Sequence, residues 1–347
     1  MKRTTYLFAA TLQLFSVIVA VSCNNIEPLT AEKDCTIILS TAGDLVTDEE
    51  TKAYESDTGA TIEDEEWEAE IHSVQYLIYR LAGTVCSFYG KETVNSNHKK
   101  SHSCEKGNYK IYAIVNGPSL DSLTISDINS TEVYLNDITK ASGIMMSGYN
   151  SVTVETGKEE CPITVKRHLT RVNLVSIKNN TEDEIPITFK YAFLSNVVAN
   201  NTVTGGSGIT KWDNLAGRKN SDIVTPDNVD DAEMTLYSPD SPVILASGET
   251  RSFGEKLYGF SNSTLNDSFG ASATSGKTRL VVVCEVEGVD YYYPVTFNSG
   301  FEDSATYDVK LSILGIGSTD PNILVNKVGM TFTVAPWTDG KTYDEEY

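Results

Sequence analysis

Positive charge is what this 347-residue chain has least of. Its 27 lysines and arginines stand against 48 aspartates and glutamates, a formal net charge of −21. That balance offers no basic footprint and excludes nucleic acid and an anionic membrane surface as partners. Histidine is scarce, at four residues, and none sits near an obvious nucleophile. There is no G-x-S-x-G elbow, H-E-x-x-H helix, P-loop or dinucleotide fingerprint, so the chain gives no positive argument for catalysis, a cofactor or a metal. Six cysteines over this length make no disulfide framework, and a hydrophobic core must supply the stability. Long helical periodicity is nearly absent and no fixed-period repeat is evident, which excludes coiled coils, solenoids and propellers. What remains, 40% hydrophobic, 9% aromatic and 22% charged, is ordinary globular composition, and the length suits two domains.

The first apolar run is an address. Lys2-Arg3 forms a positive n-region, and Tyr6 to Val21 is apolar apart from Thr11, Gln13 and Ser16. It falls short of the ~20 apolar residues of a spanning helix and reads as an export signal. Ala20-Val21-Ser22-Cys23 follows, and a small residue directly before a cysteine resembles a bacterial lipobox. Cys23 is thus the expected lipidation site and first mature residue, although Leu is commoner than Ala at position 20. Removing residues 1–22 takes away two basic and no acidic residues and leaves a net charge of −23.

Short runs of β-formers separated by turn signals dominate the mature chain. Strands are expected at 71–79 and 109–115, the latter ended by Asn116-Gly117-Pro118, and across the Gly157 turn at 151–155 and 161–165. Leu120, Leu123 and Ile128 suggest one short helix between 120 and 135. In the second half, strands are expected at 171–177, 185–193, 307–314 and 330–334. The clearest hairpin joins 280–286 to 291–297 through Glu287-Gly288-Val289-Asp290. This grammar predicts an all-β chain of two sandwiches in series, divided near Val165–Leu169. The polar tract Asn200 to Asp231 reads as a long surface loop.

Three clusters carry titratable groups. Glu63 to Glu70 is the densest acidic run; glycoside hydrolysis needs two carboxylates held apart across a cleft, so this run reads as a solvated segment. His98, His102 and Cys104 have the elements of a metal site, but no fourth ligand is local and Lys99 and Lys100 oppose a cation; the segment reads as an exposed basic loop. Asp227 to Glu233 has Val229 where a calcium loop needs an oxygen, and lacks its glycine. Among the cysteines, Cys86 and Cys104 flank a polar stretch that a disulfide would staple, and Cys284 falls within an apolar strand, as a buried thiol does.

The two ends are more informative. Cys35 to Thr41 is a compact β-rich segment, followed by an acidic stretch in which Lys52 is the only lysine or arginine between Lys33 and Arg80. An exposed lysine in such a setting is where a trypsin-like protease cuts, between Lys52 and Ala53. At the other end Val328, Met330, Phe332 and Val334 alternate with small or hydroxyl residues, and Pro336-Trp337 precedes a polar tail.

Six features together resemble the major fimbrial subunit (fimbrillin, type V pilin) family of Bacteroidales bacteria. They are the lipobox-like start; Thr51-Lys52-Ala53; Lys110 to Gly117; Ile144-Met-Met-Ser-Gly148; Val165 to Leu174; and Tyr307 to Gly315 leading to Phe332-Thr-Val-Ala-Pro-Trp337. The resemblance implies two tandem transthyretin-like β-sandwich domains with few short helices. Residues 1–22 would be the signal, 23–52 a propeptide, 53–165 the first domain and 166–347 the second.

It further implies a non-enzymatic subunit of a cell-surface fimbria supporting adhesion, exported as an outer-membrane lipoprotein and polymerised by donor-strand exchange. Its partners would be copies of itself or related pilins, together with the lipoprotein-processing and maturation proteases. Ile37, Ile38 and Leu39 would lie on a removable first strand. Met330, Phe332, Val334 and Trp337 would be the donor residues. Lysine at 52 departs from the commoner arginine, and Cys35 within the removable strand can tether it. The competing readings are a fimbrial tip adhesin or anchor and, less favoured, a secreted glycan-active enzyme.

Overall fold

The computed structural model describes residues 35–43, 54–55, 61–62, 65–83, 85–94, 99–121, 124–182, 185–198, 200–205, 233–262, 277–297, 300–321 and 328–336. Its strands up to the middle of the chain are β1 (Cys35–Gly43), β2 (Tyr54–Glu55), β3 (Thr61–Ile62), β4 (Val74–Ala82), β5 (Val85–Val94), β6 (Lys99–Cys104), β7 (Gly107–Val115), β8 (Glu132–Tyr134), β9 (Met146–Val154) and β10 (Lys158–Arg167). Beyond them run β11 (Leu169–Asn179), β12 (Ile187–Ser195), β13 (Asn200–Thr202), β14 (Leu236–Tyr237), β15 (Val243–Leu245), β16 (Thr250–Phe260), β17 (Arg279–Val286), β18 (Val289–Thr296), β19 (Ala305–Ile313) and β20 (Val328–Pro336). Two short helices, α1 (Glu66–Ala69) and α2 (Ile125–Ser130), complete an all-β architecture.

The first body is a seven-stranded sheet ordered β5-β4-β7-β9-β10-β1-β6. It encloses a core to which Ile37, Leu39, Tyr76, Ile78, Tyr109 and Ile163 contribute. The end strands approach one another, with His102 Nδ1 2.8 Å from Glu92 Oε1. Sequence pattern follows exposure. β10 buries Cys161, Ile163 and Val165 and exposes Pro162 and Thr164 between them, the alternation of a sheet wet on one side. In β4 the apolar run is continuous because both faces are covered: Val74, Tyr76 and Ile78 enter the inner core, while Leu77 and Tyr79 join the cluster outside it.

The second body is a sandwich of two sheets, β16-β11-β19-β20 and β14-β12-β17-β18, with β15 also on β12. Leu174, Tyr307 and Val309 from one sheet and Phe189, Val282 and Tyr293 from the other share one core. The hairpin between β17 and β18 closes on Val286 opposite Val289. Glu287 and Gly288 both have positive φ, 52° and 81°, the signature of a two-residue type I′ turn.

Several local expectations are revised. The one short helix expected between 120 and 135 is α2, and the unexpected addition is β8, which follows it and pairs with β13 across the two bodies. β13 also gives the start of the supposed long loop a structural role. The basic loop around His102 is instead strand β6, since pairing with β1 satisfies its backbone. Cys284 is buried, as read from its apolar strand.

Candidate functional site

The candidate site is the slot that β1 occupies. On one side β1 runs parallel to β10, from Thr36 opposite Lys158 to Gly43 opposite Val165. On the other it runs antiparallel to β6, from Cys35 opposite Cys104 to Ser40 opposite Lys99. Cys35, Ile37 and Leu39 are at most 1% exposed, while Thr36, Ile38 and Ser40 on the other face are half-buried. A period of two therefore places the strand's apolar face in the core. Burial of Ile37 and Leu39 contributes on the order of 3–6 kcal/mol. Without β1 the facing edges of β10 and β6 lose their partners, and each buried unpaired backbone group costs about 1–3 kcal/mol. Beside the slot, burial pushes the Tyr76 phenol up to about 12 against the opposing contacts of Thr41.

The proposed donor segment, β20, belongs to a different sheet from β1. β20 is the terminal strand of its sheet and pairs only with β19 among the described strands. Met330, Phe332 and Val334 stand opposite Leu311, Val309 and Tyr307, which are buried. In this structure β20 thus completes its own sandwich. Like β1 it is nine residues long, and its apolar residues also recur every second position. Cys23, Lys52, Ala53 and Trp337 lie outside the described residues.

The structure sets Cys104 opposite Cys35 rather than beside Cys86. Cys86 is exposed and faces Leu81 on β4. Of the five described cysteines, Cys35, Cys104, Cys161 and Cys284 are buried. Burial pushes the Cys161 thiol up to about 11 and raises that of Cys284 further still, so neither is poised to react.

Two polar clusters escaped the sequence reading. Glu68, placed there in a solvated run, is 1% exposed. Arg171 Nη1 donates to its two oxygens at 3.0 and 3.2 Å. Lys256 Nζ donates at 3.1 Å and the Tyr258 hydroxyl at 2.8 Å. The Glu65 N–H also donates to Glu68 Oε2 at 2.6 Å, within a capping box that starts α1. Trp67 packs edge-on to Tyr258, with ring centroids 5.3 Å apart. The run is therefore amphipathic, and Trp67 was the one visible hint that part of it turns inward.

The second cluster corrects the expectation that no histidine sits near a nucleophile. His168 Nε2 lies 2.7 Å from Ser147 Oγ, and its Nδ1 lies 3.5 Å from Asp303. These are the residue types of an acyl-transfer triad. However, Ser147 and His168 are 5% and 4% exposed, so a substrate carbonyl has no open path to the hydroxyl. The contact instead links β9, the β10–β11 junction and the segment before β19. Gly205 makes room for it, since a Cβ there would lie 2.2 Å from the imidazole.

Among the described residues no group of three or more potential ligands is arranged to hold a metal ion, and no helix is long and apolar enough to cross a membrane. His102, the described histidine of the 98–104 segment, faces Glu92.

Comparison with known proteins places this geometry. The family model described as "Major fimbrial subunit protein (FimA)" matches residues 44–189. No curated protein matches in sequence. A fimbrilin (FimA) from Porphyromonas gingivalis W83 superposes with a TM-score of 0.61 at 16% identity, covering 90% of this chain and 100% of that one. A candidate cell adhesion protein from Parabacteroides distasonis gives 0.58 at 13% identity, covering 90% of this chain and 99% of that one. A candidate cell adhesion protein from Bacteroides eggerthii gives 0.57 at 17% identity, with coverages of 88% and 96%. The resemblance read from the sequence is thus borne out: in sequence over residues 44–189, and in fold over nine-tenths of its length, this chain is similar to the major fimbrial subunit (FimA) proteins.

Proposed function

We propose that this protein is a structural, non-enzymatic subunit of a cell-surface fimbria that polymerises by exchanging β1 for the β20 of a neighbouring copy. In this reading the chain is exported, lipidated at Cys23 and held at the outer membrane, then cut between Lys52 and Ala53 by a trypsin-like protease. The cut severs β1 from everything that follows it. Loss of β1 uncovers a slot with two unpaired strand edges and an apolar floor, which favours any strand of matching length and alternation. A neighbour's β20 meets that demand, with Met330, Phe332 and Val334 as side chains entering the slot and Trp337 as a further anchor.

The observation that carries this reading is the position of β1. One short segment, wholly on the N-terminal side of Lys52, fills an interior place between β10 and β6 with its apolar residues in the core. The test is limited tryptic digestion of the monomer. Cleavage after Lys52 is expected to yield ladders that resist detergent, visible as fibres by electron microscopy. Lys52→Ala should abolish them, and assembly of that variant after the same treatment would refute the cleavage switch. A chain lacking residues 329–347 should be cut yet fail to elongate; unimpaired fibres would reject β20 as donor.

A further inference from the structure

We propose that Cys35 and Cys104 form a disulfide that latches β1 into its slot, so that proteolysis alone does not release the strand. This rests on the reading of β1 as a removable strand, but the bond itself is testable without it. Cys35 and Cys104 are directly opposite across the antiparallel β1–β6 pair. Residues so placed point to the same face, and both cysteines are buried in the same core. Opposed residues of an antiparallel pair have Cα atoms about 4.5 or 5.5 Å apart, depending on the hydrogen-bonding site. Both values lie within the roughly 4.4–6.8 Å that a disulfide spans.

The other described cysteines are placed away from this pair. Cys161 faces Leu39, four residues along β1 from Cys35, or roughly 13 Å at the rise of a strand. Cys86 is exposed on β5, and Cys284 belongs to the second sandwich. The five described cysteines thus resolve into one bonded pair, Cys35 with Cys104, and three thiols.

The chemistry is thiol–disulfide exchange with a disulfide-bearing thiol oxidoreductase of the exported compartment. One cysteine, as thiolate, attacks the oxidant's disulfide and forms a mixed disulfide, releasing one oxidant thiol. The second cysteine, losing its proton, displaces the remaining oxidant sulfur. An Sγ–Sγ bond is gained, the oxidant's S–S bond is lost, and two electrons pass to the oxidant with the two protons. The exchange takes place while β1 is docking, before burial closes over both sulfurs. Once formed, the bond holds β1 to β6 after the Lys52 cut, and strand exchange must await reduction.

The experiment uses the full chain folded with oxidised glutathione, with remaining thiols blocked by iodoacetamide before tryptic mapping. The expected product is peptide 34–52 joined to peptide 101–106, separating on treatment with dithiothreitol. Recovery of both peptides alkylated and unlinked would overturn the proposal. In a second arm, Lys52-cleaved wild type is compared with Cys35→Ala and, should that variant fold poorly, with Cys104→Ala. The wild type should retain peptide 34–52 on denaturing gels without reductant and assemble at least tenfold more slowly than either variant. Equal assembly rates with the link present would overturn the latch and leave strand exchange standing. Failure of wild type and both variants to assemble, with the link mapped, would leave the bond standing and count against strand exchange.

Discussion

Glu68 shows how a single residue can be read correctly as to charge and wrongly as to place. Within a run of carboxylates it has every sequence mark of a solvated side chain, yet three donors from β11 and β16 converge on it in the interior. The desolvation cost of such a carboxylate is offset only while its cations are present, and removing one member leaves buried charge uncompensated. Glu68→Ala should therefore destabilise the protein by about 3–5 kcal/mol, measured as a lower urea midpoint at unchanged slope. A loss below about 1 kcal/mol would mean that water reaches Arg171 and Lys256. The Ser147–His168 contact teaches the same lesson, since the two residues are 21 apart in sequence and meet because β9 and β10 pair beside the junction, at Ser147 with Lys166 and Met146 with Arg167.

At the level of elements, β1 and β20 share length and alternation but differ in position, one interior and one terminal in its sheet. An interior strand is expensive to remove, which suits an irreversible proteolytic trigger. A terminal strand leaves by breaking one ladder rather than two. This asymmetry gives a discriminating prediction. Leu39→Ala should destabilise the uncut monomer by about 2–5 kcal/mol, as core truncations of leucine do, read from its thermal or urea midpoint. Under the proposed strand exchange the assembled fibre should be as stable as wild type, because β1 would no longer be part of it. A fibre weakened as much as the monomer would show that β1 stays in its slot.

For the whole molecule, buried phenols couple the fold to alkaline pH. Burial pushes both Tyr76 and Tyr79 up to about 12, from about 10 in an unfolded chain. The folded state therefore keeps protons that the unfolded state releases. Their contribution is complete below pH 10 and is lost as pH rises towards 12, on the order of 2–3 kcal/mol for each phenol. Unfolding near pH 11 should then be cooperative, with tyrosinate absorbance at 295 nm and loss of β-sheet circular dichroism sharing one midpoint. Ionisation of most tyrosines well below the structural transition would show that these phenols are solvated in the fold.

Strand identity was legible in the chain itself because the two-residue period of a half-buried strand is a local property: β10, β17 and β18 all lie where alternation or apolar runs place them, and the turn at Glu287-Gly288 is written in its residues. The β-rich segment at 35–41 and the single lysine behind it are equally plain. Which strands become neighbours is another matter. That β1 sits between β10 and β6, that Cys35 meets Cys104, and that Glu68 is drawn inward all depend on pairings between segments tens of residues apart. Such pairings are selected by which arrangement buries the most apolar surface while leaving the fewest backbone groups unpaired, a quantity no local window of sequence contains.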